Sequence, residues 1–257
     1  MPLRSTNNVV AWLRPANVVA KVSIEAHSRL FTELQVAQEL VALGAPVVSP
    51  ASELPVVVHR RGGFEMTFWR YHTQLATAEI PPDRVALALT RLHASLSRLS
   101  PPLKARLPSY ATELHVVRSL LADQAALPAL ERVDRDLLVT TFDRLQARLD
   151  DLGPADRFVV LHGSPHSYNV LLVNNEPTFI DFETTCLGPL EWDVAHLDSR
   201  AAPFFADSIR AELLWLCQSM VSVKTATLCT AEIDRGDMRE HAEFHLAHVR
   251  ENVASNV

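Results

Sequence analysis

The feature that most constrains this chain is a change of hydrophobic period near residue 75. Before it, short β-branched runs at 9–13 and 18–24 flank Arg14-Pro15-Ala16-Asn17, which predicts a hairpin with a four-residue loop. Residues 28–43 set Leu30, Leu34, Ala37, Leu40 and Val41 at helical spacing, with Ser28 as N-cap and Gly44 closing the helix. Two more strand runs, 55–59 and 64–69, join across Arg60-Arg61-Gly62-Gly63. The order β-β-α-β-β is that of a small α+β lobe. Past Tyr71 the period is helical over 81–97, 109–126 and 129–151, and again over 189–199, 205–223 and 237–251. A β-rich island with runs at 158–161, 170–173 and 178–181 interrupts it. The expected architecture is α+β in two lobes, a small β-rich lobe over 1–71 and a larger helical lobe over 72–257.

Composition narrows the class of function. With 48% hydrophobic and 21% charged residues over 257 positions, the chain has ample material for a core, which excludes a disordered protein. A net charge of −6 gives no basic footprint for nucleic acid or an anionic membrane. No stretch approaches the roughly 18 apolar residues of a membrane span, and residues 1–30 carry no apolar core of signal-peptide length. Cys186, Cys217 and Cys229 are odd in number and lack CxxC spacing, which points to buried free thiols and a cytoplasmic protein. Lysine is scarce: only Lys21, Lys104 and Lys224 occur, against 21 arginines, and glycine numbers seven. A mechanism that needs lysine has three candidates.

The chemistry is densest in the island. Asn169 directly precedes one apolar strand and Asp181 ends the next, with Asn174-Asn175-Glu176-Pro177 as the turn between them. A hairpin of this length brings Asn169 and Asp181 to one end of its ladder. A carboxylate and an amide oxygen there make a hard-oxygen site suited to Mg²⁺ with a phosphate ligand. Asn and Asp at strand ends are also ordinary turn formers.

Several motifs in order resemble those of one family. His162-Gly163-Ser164-Pro165-His166-Ser167-Tyr168-Asn169-Val170-Leu171 resembles the HGDxHxxNxL catalytic loop of the aminoglycoside phosphotransferase and choline kinase family. Ile180-Asp181-Phe182-Glu183 is similar to that family's IDxE metal motif, and Gly188-Pro189-Leu190-Glu191-Trp192-Asp193-Val194-Ala195 to its GPxxxDLA segment. Thr90-Arg91-Leu92-His93-Ala94 resembles its LxxLHA helix, and Ala20-Lys21-Val22 its strand lysine, with Glu33 where the partner glutamate belongs. The resemblance implies a protein-kinase-like fold with ATP, or another NTP, and Mg²⁺ bound between the lobes. It implies Lys21 on the phosphates, paired with Glu33, and Asn169 and Asp181 on the metal. Asp193 would brace the catalytic loop, and His162 would pack beneath it. Trp69 and Tyr71 fall at the expected hinge, where aromatic side chains wall an adenine pocket. Asp237, Glu240 and Glu243 lie on a late helix that would face a cationic acceptor. His241, His245 and His248 share one face of that helix, which reads as a solvated polar face.

Two departures bear on activity. Ser164 stands where the family has its catalytic aspartate, and a serine hydroxyl is no general base near neutral pH without an activating partner. His166 and Glu183 are the local substitutes. His-Gly-Ser-Pro lacks the GxSxG elbow of a serine nucleophile. The glycine-rich nucleotide loop is also missing. Ser5-Thr6-Asn7-Asn8-Val9-Val10 resembles only its end, with no room for a first strand, so either the chain begins short of the usual start or phosphate cover comes from Ser5 and Thr6 with their backbone amides. Two readings stand: a phosphotransferase acting on a hydroxyl of a small molecule with impaired catalysis, or a pseudokinase that binds nucleotide or metabolite without transfer.

Overall fold

The computed structural model describes residues 2–5, 8–73, 80–152 and 155–253. The chain packs as two compact units. One comprises residues 1–107, 160–187 and 197–205, and the other 108–159, 188–196 and 206–257. This grouping differs from a division at residue 71, because the island 160–187 packs with the N-terminal segment.

The first unit is built on an antiparallel sheet. Its described strands are β1 (Pro2–Ser5), β2 (Val9–Trp12), β3 (Val18–Ile24), β4 (His59–Arg61) and β5 (Phe64–Arg70), in the spatial order β1-β2-β3-β5-β4. The first strand corrects the expectation that the chain has no room for one. Pro2-Leu3-Arg4-Ser5 lacks a strand-like apolar run, but β1 is an edge strand, which needs only a neighbour to pair with. The 14–17 loop is as expected, closed by the Leu13 N–H donating to the Val18 carbonyl at 2.9 Å. The second hairpin turns more tightly than expected, since Arg61 already pairs with Phe64 across Gly62-Gly63.

Helix α1 (Leu30–Ala42) buries Leu30, Leu34, Ala37 and Leu40 on one face. Ser28 Oγ accepts the Leu30 N–H at 3.2 Å, and Gly44, at φ +69°, ends the helix. The chain then runs as a bridge between two sheets. The Ala51 N–H donates to Phe68 and the Arg70 N–H to Ser49, while the Val48 N–H donates to the Phe179 carbonyl and the Phe179 N–H to that of Pro46. Helix α2 (Pro82–Leu96) follows, then the short α3 (Pro101–Lys104), where Glu39 accepts from Ser100 N–H and Oγ at 2.7 and 2.6 Å.

In the island, the short β6 (Val159–Leu161) pairs with β9 (Cys186–Gly188), a strand the apolar pattern did not announce. Strands β7 (Val170–Val173) and β8 (Glu176–Phe179) form a hairpin whose two-residue turn is Asn174-Asn175, both at positive φ. Asp181 therefore lies beyond β8 rather than ending it. Residues 199–205 pack on α2.

The second unit contains α4 (Ala111–Ala122), α5 (Arg132–Leu152), α6 (Leu190–Ala195), α7 (Ala211–Ala231) and α8 (Met238–His248). Buried Trp192 meets Tyr110 at a ring distance of 5.1 Å. Arg135, also buried, donates to the carbonyls of Leu121, Asp123 and Leu127, where the chain leaves α4. Lys224 lies over Trp192 and donates to Glu113 at 2.9 Å. Asp193 is buried in α6. Cys186 and Cys217 are buried free thiols and Cys229 is half-buried. Among the described residues no helix is long and apolar enough to cross a membrane.

Candidate functional site

Every charged group of the candidate site comes from the first unit. Lys21 sits mid-strand in β3, 6% exposed, with its side chain towards α1. Its ammonium donates to Glu33 Oε1 and Oε2, both at 2.9 Å, and to Asp181 Oδ1 at 2.8 Å. Glu183 Oε1 completes the ring of carboxylates around it. Sequence distance is bridged by the packing just described: strand β5 holds segment 46–51, which holds β8, which delivers Asp181. The Ile180 N–H donates to the Asn169 carbonyl at 3.0 Å, so Asn169 and Asp181 do share one end of the hairpin.

Asp181 adopts φ +69° and ψ 66°, a left-handed conformation uncommon outside glycine and asparagine. That kink turns the following residues into a short 3₁₀ turn (Phe182–Thr184), so that Asp181 and Glu183 both reach Lys21. Beneath it lies His162, fully buried, with its ring against Phe179 and Phe182. His162 Nε2 donates to the Ile180 carbonyl at 3.0 Å and Nδ1 accepts the Ser164 N–H at 3.3 Å. These two bonds pin the loop to the metal-motif strand. Gly163, at φ +92°, lies so close to the 3₁₀ turn that an added Cβ would come within 2.0 Å of the Thr184 carbonyl oxygen. Asn169 is 3% exposed, and its Nδ2 donates to the Ser164 carbonyl at 2.9 Å. His166 Nε2 faces the same amide nitrogen at 3.4 Å, which directs that ring nitrogen at Asn169.

The electrostatics follow from three carboxylates around one ammonium. Burial works against the charge on Lys21, but Glu33, Asp181 and Glu183 more than reverse it and raise its pKa above the usual lysine value. Burial pushes Glu33 up to about 8 despite the pull of Lys21, with Asp181 and Glu183 adding to the rise. Burial and the neighbouring Asp181 raise Glu183 in the same way. Burial would raise Asp181 too, but the Lys21 charge and hydrogen bond outweigh it and hold that carboxyl down at about 2. Asp181 keeps the negative charge in the cluster, and the two glutamates resist it.

Residues 8–214 match the family described as phosphotransferase enzyme family, APH. The chain belongs to that family. A search of curated proteins finds no match to this phosphotransferase. Among solved structures it is similar to the GDP and kanamycin complex of APH(2")-IIia, at 16% identity and a TM-score of 0.70, over 100% of this chain and 93% of the other. It is also similar to amicoumacin kinase hAmiN in complex with AMP-PNP, Ca²⁺ and Ami, at 12% identity and a TM-score of 0.69, over 99% and 89%. A choline/ethanolamine kinase family protein from Mesorhizobium loti matches at 17% identity and a TM-score of 0.65, over 100% and 88%. The phosphotransferase thus has the α+β, protein-kinase-like fold expected from its motifs.

Of the expected site residues, the structure brings together Lys21, Glu33 and Asp181, with Asn169 and Ser164 on the adjoining loop. Ser5 ends β1 opposite Val9, and Thr6 lies outside the described residues. Trp69 donates from Nε1 to Thr67 Oγ1 at 2.9 Å. Tyr71 stacks on Trp12 at 4.0 Å and 4°, so one ring face is already covered; Arg14 lies 4.1 Å from the Trp12 ring. Two residues take contacts at Lys21 that the sequence did not announce. Glu183 is a direct partner of Lys21, and Asn8 donates from Nδ2 to Glu183 Oε1. The signal for Glu183 was its place two residues after Asp181; Asn8 had none beyond its position at the start of β2.

The donor set fits a hard divalent cation. Asp181 and Glu183 supply carboxylate oxygens, and the buried Asn169 Oδ1 has no hydrogen-bond partner, an acceptor prepared for a ligand.

Proposed function

We propose that this phosphotransferase binds a nucleoside triphosphate with Mg²⁺ and transfers the γ-phosphoryl group to a hydroxyl of a small molecule, at a rate held down by Ser164. The observation that carries the reading is the buried Lys21 ammonium, held by both oxygens of Glu33 beside Asp181, with the Asn169 oxygen left unsatisfied. A fixed ammonium beside a hard-oxygen pair is the equipment for positioning a triphosphate. Support comes from the structural relatives, which carry GDP, AMP-PNP or ADP, with acceptors such as kanamycin, spectinomycin and amicoumacin.

In this reading residues 1–71 form the nucleotide-binding lobe and 72–257 the lobe that carries the catalytic loop and metal motif. Lys21 orients the α- and β-phosphates, and Glu33 fixes the lysine. Asn169 and Asp181 would hold Mg²⁺, which would supply charge neutralisation to the triphosphate. Ser164 offers the acceptor hydroxyl a hydrogen bond but takes no proton near neutral pH. Loss of a general base costs about 10²–10⁴ in rate. The loose transition state of phosphoryl transfer leaves positioning and electrostatics intact, so turnover is slowed rather than abolished. Ser5 and Thr6 would cover the phosphates, and Trp69 and Tyr71 would flank the base. The free thiols fit a reducing cytoplasm.

A second reading, nucleotide binding without transfer, is favoured by Ser164 itself. One experiment tests both: thermal shift with Mg-ATP and Mg-GTP, and nucleotide turnover against a panel of hydroxyl acceptors, for wild type and Ser164→Asp. The proposal expects slow wild-type turnover that rises by about 10²–10⁴ in Ser164→Asp. Turnover confined to Ser164→Asp establishes the pseudokinase. If neither protein binds nucleotide, both readings fall.

A further inference from the structure

The second unit holds a cavity of about 240 Å³ that shares no residue with the Lys21 cluster or the catalytic loop. Three segments meet around it: the end of the 155–157 turn with Phe158, the entry to α6, and the entry to α7. Its walls are of two kinds. Phe158 and Leu190 supply apolar surface, while Arg157 and Arg210 supply two guanidiniums against one carboxylate, Glu191. Asp156 and Asp207, close by along the chain, do not line it. Glu191 is 6% exposed and belongs to the wall: it accepts the Arg210 N–H at 2.9 Å, and its Oε1 lies 3.8 Å from Arg210 Nε. At that length it balances the charge of Arg210 without taking a hydrogen bond from the guanidinium. Among the described residues Arg157 has no ion pair or hydrogen bond at all. The lining therefore carries one positive charge more than it balances, and two donor forks open to a ligand. A guanidinium fork matches a carboxylate in shape and charge. The volume is that of roughly eight waters, enough for a ring-sized organic body. An inorganic anion would leave the apolar wall wet, whereas a carboxylate with an apolar body satisfies both kinds of wall.

We propose that this cavity is a binding site for a small organic monocarboxylate. Arg157 and Arg210 take the carboxylate, and Phe158 and Leu190 cover the body. The site is independent of the phosphotransferase reading, because it uses none of the residues assigned to nucleotide, metal or acceptor. Both arginines are exposed, so water competes for them and the affinity is expected in the millimolar range.

The test is titration of the nucleotide-free protein with benzoate, benzamide, acetate and inorganic phosphate, read by ligand-observed NMR and thermal shift. The proposal expects saturable benzoate binding. Benzamide keeps the ring without the charge, and acetate keeps the charge without the ring, so each should bind at least tenfold more weakly. Phosphate should be weaker than benzoate for the same reason as acetate. Two variants locate the site. Arg157→Gln should weaken benzoate about tenfold, and Ser208→Trp, which fills the cavity from an exposed position on its lining, should abolish binding. Both positions are exposed, so the melting temperature of each variant without ligand should match wild type's. The proposal is overturned if wild type binds no benzoate at tens of millimolar, or if either variant binds it as wild type does. It is overturned equally if benzamide matches benzoate, which removes the role of the arginines, or if acetate or phosphate does, which removes that of the apolar wall.

Discussion

Replacing Gly163 with alanine should be among the most damaging single-methyl additions in the chain. Two costs are separable. The first is conformational: at φ +92° an L-residue is strained, at about 1–2 kcal/mol for positive-φ backbone. The second is steric. The new Cβ would sit 2.0 Å from the Thr184 oxygen and 2.8 Å from its carbonyl carbon, both backbone atoms, so no flexible side-chain tip can yield. Relief requires the catalytic loop to lift from the 3₁₀ turn, straining the Ser164-to-His162 bond or the bond from Thr184 Oγ1 to the His162 carbonyl at 3.2 Å. Strain of that kind adds roughly 2–3 kcal/mol, for a total near 3–5 kcal/mol. Gly44 is the internal control: its φ is +69° but nothing lies within 4 Å of an added Cβ, so Gly44→Ala carries only the first cost. Urea denaturation of both variants measures the difference directly. We expect Gly163→Ala to lose about 2 kcal/mol more than Gly44→Ala, with weakened nucleotide binding only in the former. Equal destabilisation of the two would refute the close approach of loop and turn.

Four further outcomes follow from the charge and hydrogen-bond arrangement. Lys21→Met leaves buried Glu33 and half-buried Asp181 and Glu183 without the ammonium they share and should cost about 3–5 kcal/mol at pH 7, with the loss shrinking as pH falls; an unchanged urea midpoint at pH 7 would contradict the ring. Glu33 has a folded pKa of about 8 against an ordinary 4.5, so its contribution is full below 4.5 and lost as pH rises through 8. Urea midpoints in EDTA should therefore fall between pH 4.5 and 8 for wild type and flatten in Glu33→Gln. His245 is held down at about 4 by burial and by His241 and His248, so its contribution is present above 6.5 and lost as pH falls towards 4. His245→Gln should remove that acid slope. Arg135→Lys should cost about 2–3 kcal/mol in denaturation, because one ammonium cannot reproduce the planar fork that feeds three carbonyls.

What the sequence made legible was what local rules carry. The 14–17 hairpin loop, the helix ended by Gly44 and the Asn169–Asp181 hairpin end all rest on periodicity and turn chemistry within a few residues. Strands β1 and β9 escaped because neither is an apolar run: one is an edge of Pro-Leu-Arg-Ser, the other three residues of Cys-Leu-Gly. Lys21, Glu33 and Asp181 were identifiable by motif, whereas their common charge centre was not. Asn8 was invisible for a physical reason: its partner lies 175 residues away. Tyr71 illustrates the reverse, a residue named for its place along the chain, one face of whose ring stacks on Trp12.

The insertion of residues 108–159 between two halves of the first unit has a kinetic consequence. Lys21 and Asp181 are 160 residues apart, so closing that contact in an unfolded chain costs about 4–5 kcal/mol of loop entropy before any ion pair repays it. A nascent chain leaving the ribosome at about 5–20 residues per second would expose β3, α1 and the unpaired Lys21 for many seconds before the metal motif emerges. Through that interval segment 46–48 and α2 lack β8, and α1 lacks the Phe182–Thr184 turn that packs on it. Its synthesis therefore passes through an obligatory waiting state with an incomplete core, and helper proteins that bind exposed apolar segments would find their target there.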